Sequence, residues 1–157
     1  LTMNDDITTE AIRITEFSTA MIDECTDLYL SVFAGEPWND QWASRQEAKQ
    51  YLESHYAFNS FLGYVAVYEG RIVGAAFGFI KPWQRGLEYY INEFFVDTAV
   101  QGKGVGTLLL KQIAADIKGK AMNAIVLTTQ RAFPAYGFYL KNGFTEIAGE
   151  VFLGKPV

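Results

Sequence analysis

The sequence predicts a single α/β (α+β) domain, and three observations predict it. Two amphipathic helical stretches precede a cluster of β-rich runs. A glycine-rich turn joins the last of those runs to a further helix. Half of the 157 residues are apolar and 15% are aromatic, enough for one full core.

Each element has its own local signal. Ala11–Phe17 alternates apolar and polar residues and reads as a strand. Ser18 is expected to cap a helix over 19–33, where Met21, Cys25, Leu28 and Val32 form one apolar stripe with Ile22, Tyr29 and Phe33 beside them. Gly35, Pro37 and Asn39-Asp40 punctuate the chain before a more polar helix over 41–56. Phe61–Tyr68 and Arg71–Ile80 flank Glu69-Gly70 and read as a hairpin. Leu87–Val96 is a third β-rich run. Val105, Leu109, Ile113 and Ile117 set a helical period that stops at Lys118-Gly119. Ala124–Thr129 reads as a buried strand, 134–142 as a short helix, and Phe144–Leu153 as a last strand. The predicted order is β-α-α-β-β-β-α-β-α-β, with residues 10–157 as one domain.

Composition narrows the function. The net charge is -5 and no Lys or Arg run is present, so a nucleic-acid partner is not expected. No apolar stretch approaches membrane-spanning length, so no membrane partner is expected. Cys25 is the single cysteine and falls on the apolar helix stripe, as a core residue would. The polar opening LTMNDDITTE carries no signal-peptide pattern, which makes a cytoplasmic location the default expectation. Residues 1–9 are expected to be disordered or a cloning remnant, with Leu1 and Thr2 preceding Met3. No metal is expected.

The turn Gln101-Gly102-Lys103-Gly104-Val105-Gly106 follows a strand and opens a helix. The first turn of a helix offers unpaired N–H groups and a partial positive charge, and glycines let an anion come close. Phosphate binding is one reading; a turn that binds nothing is the other. A Walker loop fails on spacing, and a dinucleotide fingerprint fails on position. A nucleotide switch is disfavoured accordingly.

Gln101-Gly-Lys-Gly104-Val-Gly106 fits the pattern [QR]-x-x-G-x-[GA]. Tyr139-Leu-Lys-Asn-Gly143-Phe144 places a tyrosine four residues before a Gly-Phe pair. With these two motifs in this order, residues 10 to 153 resemble the GNAT superfamily of N-acetyltransferases. The resemblance implies a mixed, largely antiparallel twisted sheet with helices on both faces and a splay beside the cofactor-binding strand. It implies acetyl-CoA as co-substrate and an amine as acceptor. The backbone of Phe95 and Val96 would hold the pantetheine and acetyl groups. Gln101, Gly102, Lys103, Gly104, Val105, Gly106 and Thr107 would form the pyrophosphate cradle. Tyr139 would donate a proton to the leaving thiolate; otherwise it is a core tyrosine. The pattern departs from relatives at Ala132, near the place of an expected Asn. Gly137 in the last helix fits close packing on the cofactor or against protein.

A base is harder to place. Glu93 is the best carboxylate, but relatives' bases align with Asn92 or Tyr90, so Glu93 requires a bulge to restore phase. Glu88, a water chain and a structural role for Glu93 stay open. The loop between the first two helices holds Glu36, Trp38, Asp40 and Trp42, a set suited to a small cationic amine. The alternative is that the indoles staple the loop and Asp40 caps the next helix. A non-catalytic CoA-binding module is the competing function. Oligomeric state stays open, homodimers being frequent in families like this one.

Overall fold

A computed structural model describes residues 7–157. The chain forms β1 (Arg13–Glu16), α1 (Ile22–Phe33), α2 (Arg45–His55), β2 (Phe61–Tyr68), β3 (Arg71–Trp83), β4 (Gly86–Val96), α3 (Val105–Gly119), β5 (Met122–Leu127) and α4 (Pro134–Lys141). The sheet order is β1-β2-β3-β4-β5. All neighbours are antiparallel except β4 and β5, which run parallel across the α3 crossover. Helices cover both faces, α1 and α2 on one and α3 and α4 on the other. Of the segment 1–9, residues 1–6 lie outside the described residues, whereas Ile7 packs against the cluster of Ile12, Val73 and Val105.

The helices form where their apolar stripes meet the sheet. α1 buries Ile22, Cys25, Leu28, Tyr29, Val32 and Phe33, the face its periodicity predicts. Each such apolar side chain contributes about 1.5–3 kcal/mol of burial. Cys25 is fully buried, and burial pushes its thiol up to about 12, as suits an inert core residue. Ser18 makes no side-chain cap; a 3-10 turn, Thr19–Met21, leads into α1 instead. α2 begins later than its sequence suggests. Its cap is Ser44, whose Oγ accepts from the Glu47 N–H at 3.1 Å, and not Asp40.

The predicted last strand over 144–153 is absent, which corrects the sequence reading. Residues 144–157 form no strand and join no strand of the sheet, while Val151, Phe152 and Leu153 are exposed. Local β propensity stabilises a strand only when an edge accepts it. The outer edge of β5 therefore stays open among the described residues, beside an apolar furrow lined by Ile117, Met122 and Ile125.

β4 carries the irregularity that matters most. Phe77 pairs with Glu93 and Gly78 with Ile91, so Asn92 is an extra residue, a β-bulge. Tyr89 and Ile91 face α3, while Glu93 and Phe95 face α1 and α2. The bulge thus flips the strand's phase. Gly78 makes room for it: a Cβ there would stand 2.5 Å from the Tyr90 carbonyl oxygen and 2.7 Å from the Tyr89 ring. Gly78→Ala should lower stability by about 1–3 kcal/mol, as overpacking does. An unchanged denaturant midpoint would show that the bulge does not need this glycine.

Candidate active site

β4 and β5 part just beyond the bulge. Their last pair is Ile91 with Leu127, and β4 runs on to Val96 without a partner on that side. A groove of about 450 Å³ occupies the gap. Phe94, Phe95 and Val96 line one side, Pro134, Ala135, Phe138 and Tyr139 the other, and the glycine-rich turn one end. The resemblance's expectation of a splay beside this strand is met.

The turn is shaped as a cradle. Gly104 is the residue before α3 and has φ +84°, a conformation that strains L side chains. The Leu108 N–H donates to the Gly104 carbonyl at 2.9 Å, closing the first helical bond. The amides of Val105, Gly106 and Thr107 belong to the first turn, where a helix leaves donors without intrahelical partners. The Lys103 N–H is different: it donates to the Val100 carbonyl at 3.3 Å. Gln101 Nε2 donates to the Val96 carbonyl at 3.0 Å, tying the turn to the end of β4. These residues fit a diphosphate at the helix end, with an apolar arm along the groove.

Tyr139 sits where α4 meets β4. It is 8% exposed and packs edge-on against the rings of Phe94 and Phe144, 6.1 and 5.3 Å between centroids. Burial, and secondarily the charge of Glu93, pushes its phenol well above the usual range, so it stays protonated. Trp38 also lines the groove. Its indole meets Phe33 at 5.3 Å and Phe133 at 6.0 Å, bridging the loop after α1 to the start of α4.

Glu93 lies off the groove wall, on the α2 face. Burial pushes its carboxyl up to about 7, against the Tyr51 hydroxyl that donates to it and pulls the other way. Trp42 packs on Tyr51 at 5.2 Å and on Tyr29 at 6.1 Å, and the charge of Asp40 acts on Glu93. Glu36 and Asp40 are exposed. Glu88, the other carboxylate on β4, is paired with Lys81 at 3.3 Å near the far end of the strand.

The groove therefore gathers Phe95, Val96, Gln101, Gly102, Gly104, Val105, Gly106, Thr107, Trp38 and Tyr139. It does not gather Lys103, Glu93, Glu36, Asp40 or Trp42. Sequence reasoning missed Tyr51 and His55 beside Glu93, and weighed Asn92 only as a position where relatives carry a base. A signal existed for the first two: the chain's only histidine lies four residues after Tyr51, on one helix face. Gly137 needs no close packing against protein, since a Cβ there would meet nothing within 4 Å.

The model of the Acetyltransferase (GNAT) family matches residues 22–144, and the chain belongs to that family. Its fold is shared by an integron cassette protein from the mobile metagenome of V. cholerae, at 21% identity and a TM-score of 0.78, over 94% of this chain and 93% of that one. It is also shared by an aminoglycoside acetyltransferase from an uncultured soil metagenomic sample, solved with sisomicin, at 18% identity and a TM-score of 0.73, over 94% and 97%. A third likeness is to AAC(6')-Iy in complex with the bisubstrate analog CoA-S-monomethyl-acetylneamine, at 15% identity and a TM-score of 0.71, over 93% and 99%. No curated protein matches the chain in sequence. Among the described residues no helix is long and apolar enough to cross a membrane.

The cradle geometry gives a binding prediction. Gly104→Val places a branched side chain at φ +84°, with its Cβ 3.2 Å from the Thr9 methyl. Stability should fall by about 1–2 kcal/mol. Titration calorimetry should show acetyl-CoA affinity falling at least about tenfold, a loss of roughly 1.4 kcal/mol; parent-like affinity would remove the turn from the binding site.

Proposed function

We propose that this chain transfers the acetyl group of acetyl-CoA to a primary amine, small and cationic, by direct attack within a ternary complex. The observation that carries this reading is the groove that runs from the α3 cradle along the unpartnered end of β4 to Tyr139. Acetyl-CoA supplies the activated acetyl group as a thioester. The first-turn amides of α3 bind its diphosphate, and the backbone of Phe95 and Val96, on the end of β4 that has no β5 partner, orients the arm. The glycines of the cradle let the diphosphate approach the backbone, and the rings of Phe138 and Trp38 give the groove apolar walls.

The amine must lose a proton to form its new bond to carbon, because an ammonium has no lone pair. Glu93, directly or through a water, takes that proton. Attack leaves the nitrogen with one proton too many, which passes to solvent water as the carbon–sulfur bond breaks, while Tyr139 Oη gives its proton to the departing sulfur and is reprotonated from solvent. A phenol whose ionisation is suppressed by burial is suited to donating without resting as an anion. Aminoglycosides, the acceptors named for two structural neighbours, are cationic amines. The net charge of -5 and the exposed carboxylates of Glu36 and Asp40 favour such acceptors.

Tyr139→Phe should lower turnover about 10²–10⁴-fold while acetyl-CoA affinity holds, as loss of a placed acid does. An unchanged turnover number would take Tyr139 out of the mechanism. Glu93 works as the carboxylate, so kcat/KM should climb as pH rises through about 7. Glu93→Gln should abolish that limb and lose most activity below the pKa of the amine. Loss of the fold in that variant, or a uniform loss at every pH, would point to a structural carboxylate. In a panel of spermidine, sisomicin, a lysine-containing peptide and glutamate, followed by CoA release, the cationic amines should dominate. A preference for glutamate would sink the acceptor assignment.

A further inference from the structure

A chain of polar groups from α2 to the bulge ends on Glu93. His55 is 3% exposed and stacks on Phe79 at 5.8 Å. Its Nδ1 stands 3.1 Å from the Tyr51 carbonyl and 3.2 Å from the Leu52 carbonyl. Both partners are acceptors only, so Nδ1 carries the proton and Nε2 is left to accept. Asn92 Nδ2 donates to that Nε2 at 2.8 Å and lies 3.5 Å from Tyr51 Oη. The Tyr51 hydroxyl in turn donates to Glu93 Oε1. Each donor direction is thus set by the group before it, beginning with backbone carbonyls that cannot turn.

We propose that Tyr51 is a positioning residue for Glu93, aimed by Asn92 and anchored by His55, so that the carboxylate is held ready to take the acceptor's proton. The proposal rests on the reading of Glu93 as the base. The chain of groups does not carry the proton away. The Asn92 amide does not titrate, and the His55 Nδ1–H is committed to two carbonyls. Its work is to orient one oxygen of Glu93 and to leave the other for the amine. It also opposes the environment. Burial and the charge of Asp40, from the loop after α1, both favour the neutral acid, and the Tyr51 hydrogen bond favours the carboxylate. Tyr29 from α1 and Tyr139 from α4 also face Glu93 and feel its charge, but both are phenols held neutral. His55, reached through Asn92, is kept neutral by burial.

The ring of Tyr51 packs on Trp42 and Tyr29, so Tyr51→Phe removes the hydroxyl and keeps the packing. The test is the pH profile of kcat/KM for the fastest amine among spermidine, sisomicin and a lysine-containing peptide. Parent, Tyr51→Phe, Glu93→Gln and the double variant are compared. Tyr51→Phe should lower kcat about tenfold, the usual weight of a hydrogen bond to a charged group. It should leave the KM for acetyl-CoA in place and move the acid limb to higher pH. In the Glu93→Gln background it should cost little more, because the two act as one unit. Asn92→Ala should move the limb in the same direction and serves if Tyr51→Phe does not fold. An unmoved limb in both variants, or the same loss in the Glu93→Gln background as in the parent, overturns the proposal. If Glu93→Gln loses the limb while Tyr51→Phe and Asn92→Ala keep it, only the positioning role falls. If Glu93→Gln itself keeps the parent's rate and limb, the base reading falls and the positioning role with it.

Discussion

The site depends on one surplus residue in β4. Asn92 has no partner on β3, and Gly78 opposite supplies the space that a side chain would fill. Two effects follow from the one insertion. Every later side chain of β4 changes face, which sends Glu93 and Phe95 toward α1 and α2 and Phe94 toward α4. The bulge also falls immediately after the last pair between β4 and β5, where the sheet opens. The strand that leaves its neighbour is thus the strand whose phase has been reset.

The two faces of the sheet divide the work. On one side, α3 and α4 frame the groove with a helix end, a glycine turn and the Tyr139 phenol. On the other, α1, α2 and their connecting loop surround Glu93 with Tyr29, Trp42, Tyr51 and Asp40. Trp38 belongs to the same loop yet reaches across to Phe133, so the loop touches both halves. A groove of amides and rings thus stands beside an acidic, aromatic shelf, the arrangement on which the proposed transfer draws.

Much of this was legible locally. The hairpin at Glu69-Gly70, the α1 stripe and the α3 cradle each follow from short-range periodicity and turn chemistry, and each stands where its residues place it. The start of α2 was legible too, though at Ser44: Ser44-Arg-Gln-Glu47 has capping-box spacing and lies closer to the apolar stripe than Asp40 does. The bulge was not, because an extra residue has meaning only against the register of β3. Nor was the grouping of Tyr51 and His55 with Asn92 and Glu93, which are brought together across 37 to 42 positions. The last strand failed in the opposite sense. Phe144 to Leu153 has the right residues, but no strand of the sheet pairs with them.

That unpaired stretch has a colloidal consequence. Among the described residues the rim of β5 offers backbone donors and acceptors, and the exposed Val151, Phe152 and Leu153 add apolar surface further along the chain. At neutral pH the net charge of -5 keeps copies apart by mutual repulsion. As a solution is acidified toward the isoelectric point of about 4.9, that repulsion vanishes while the sticky rim remains. Low net charge favours association, and an unpaired strand edge is the kind of surface best suited to it.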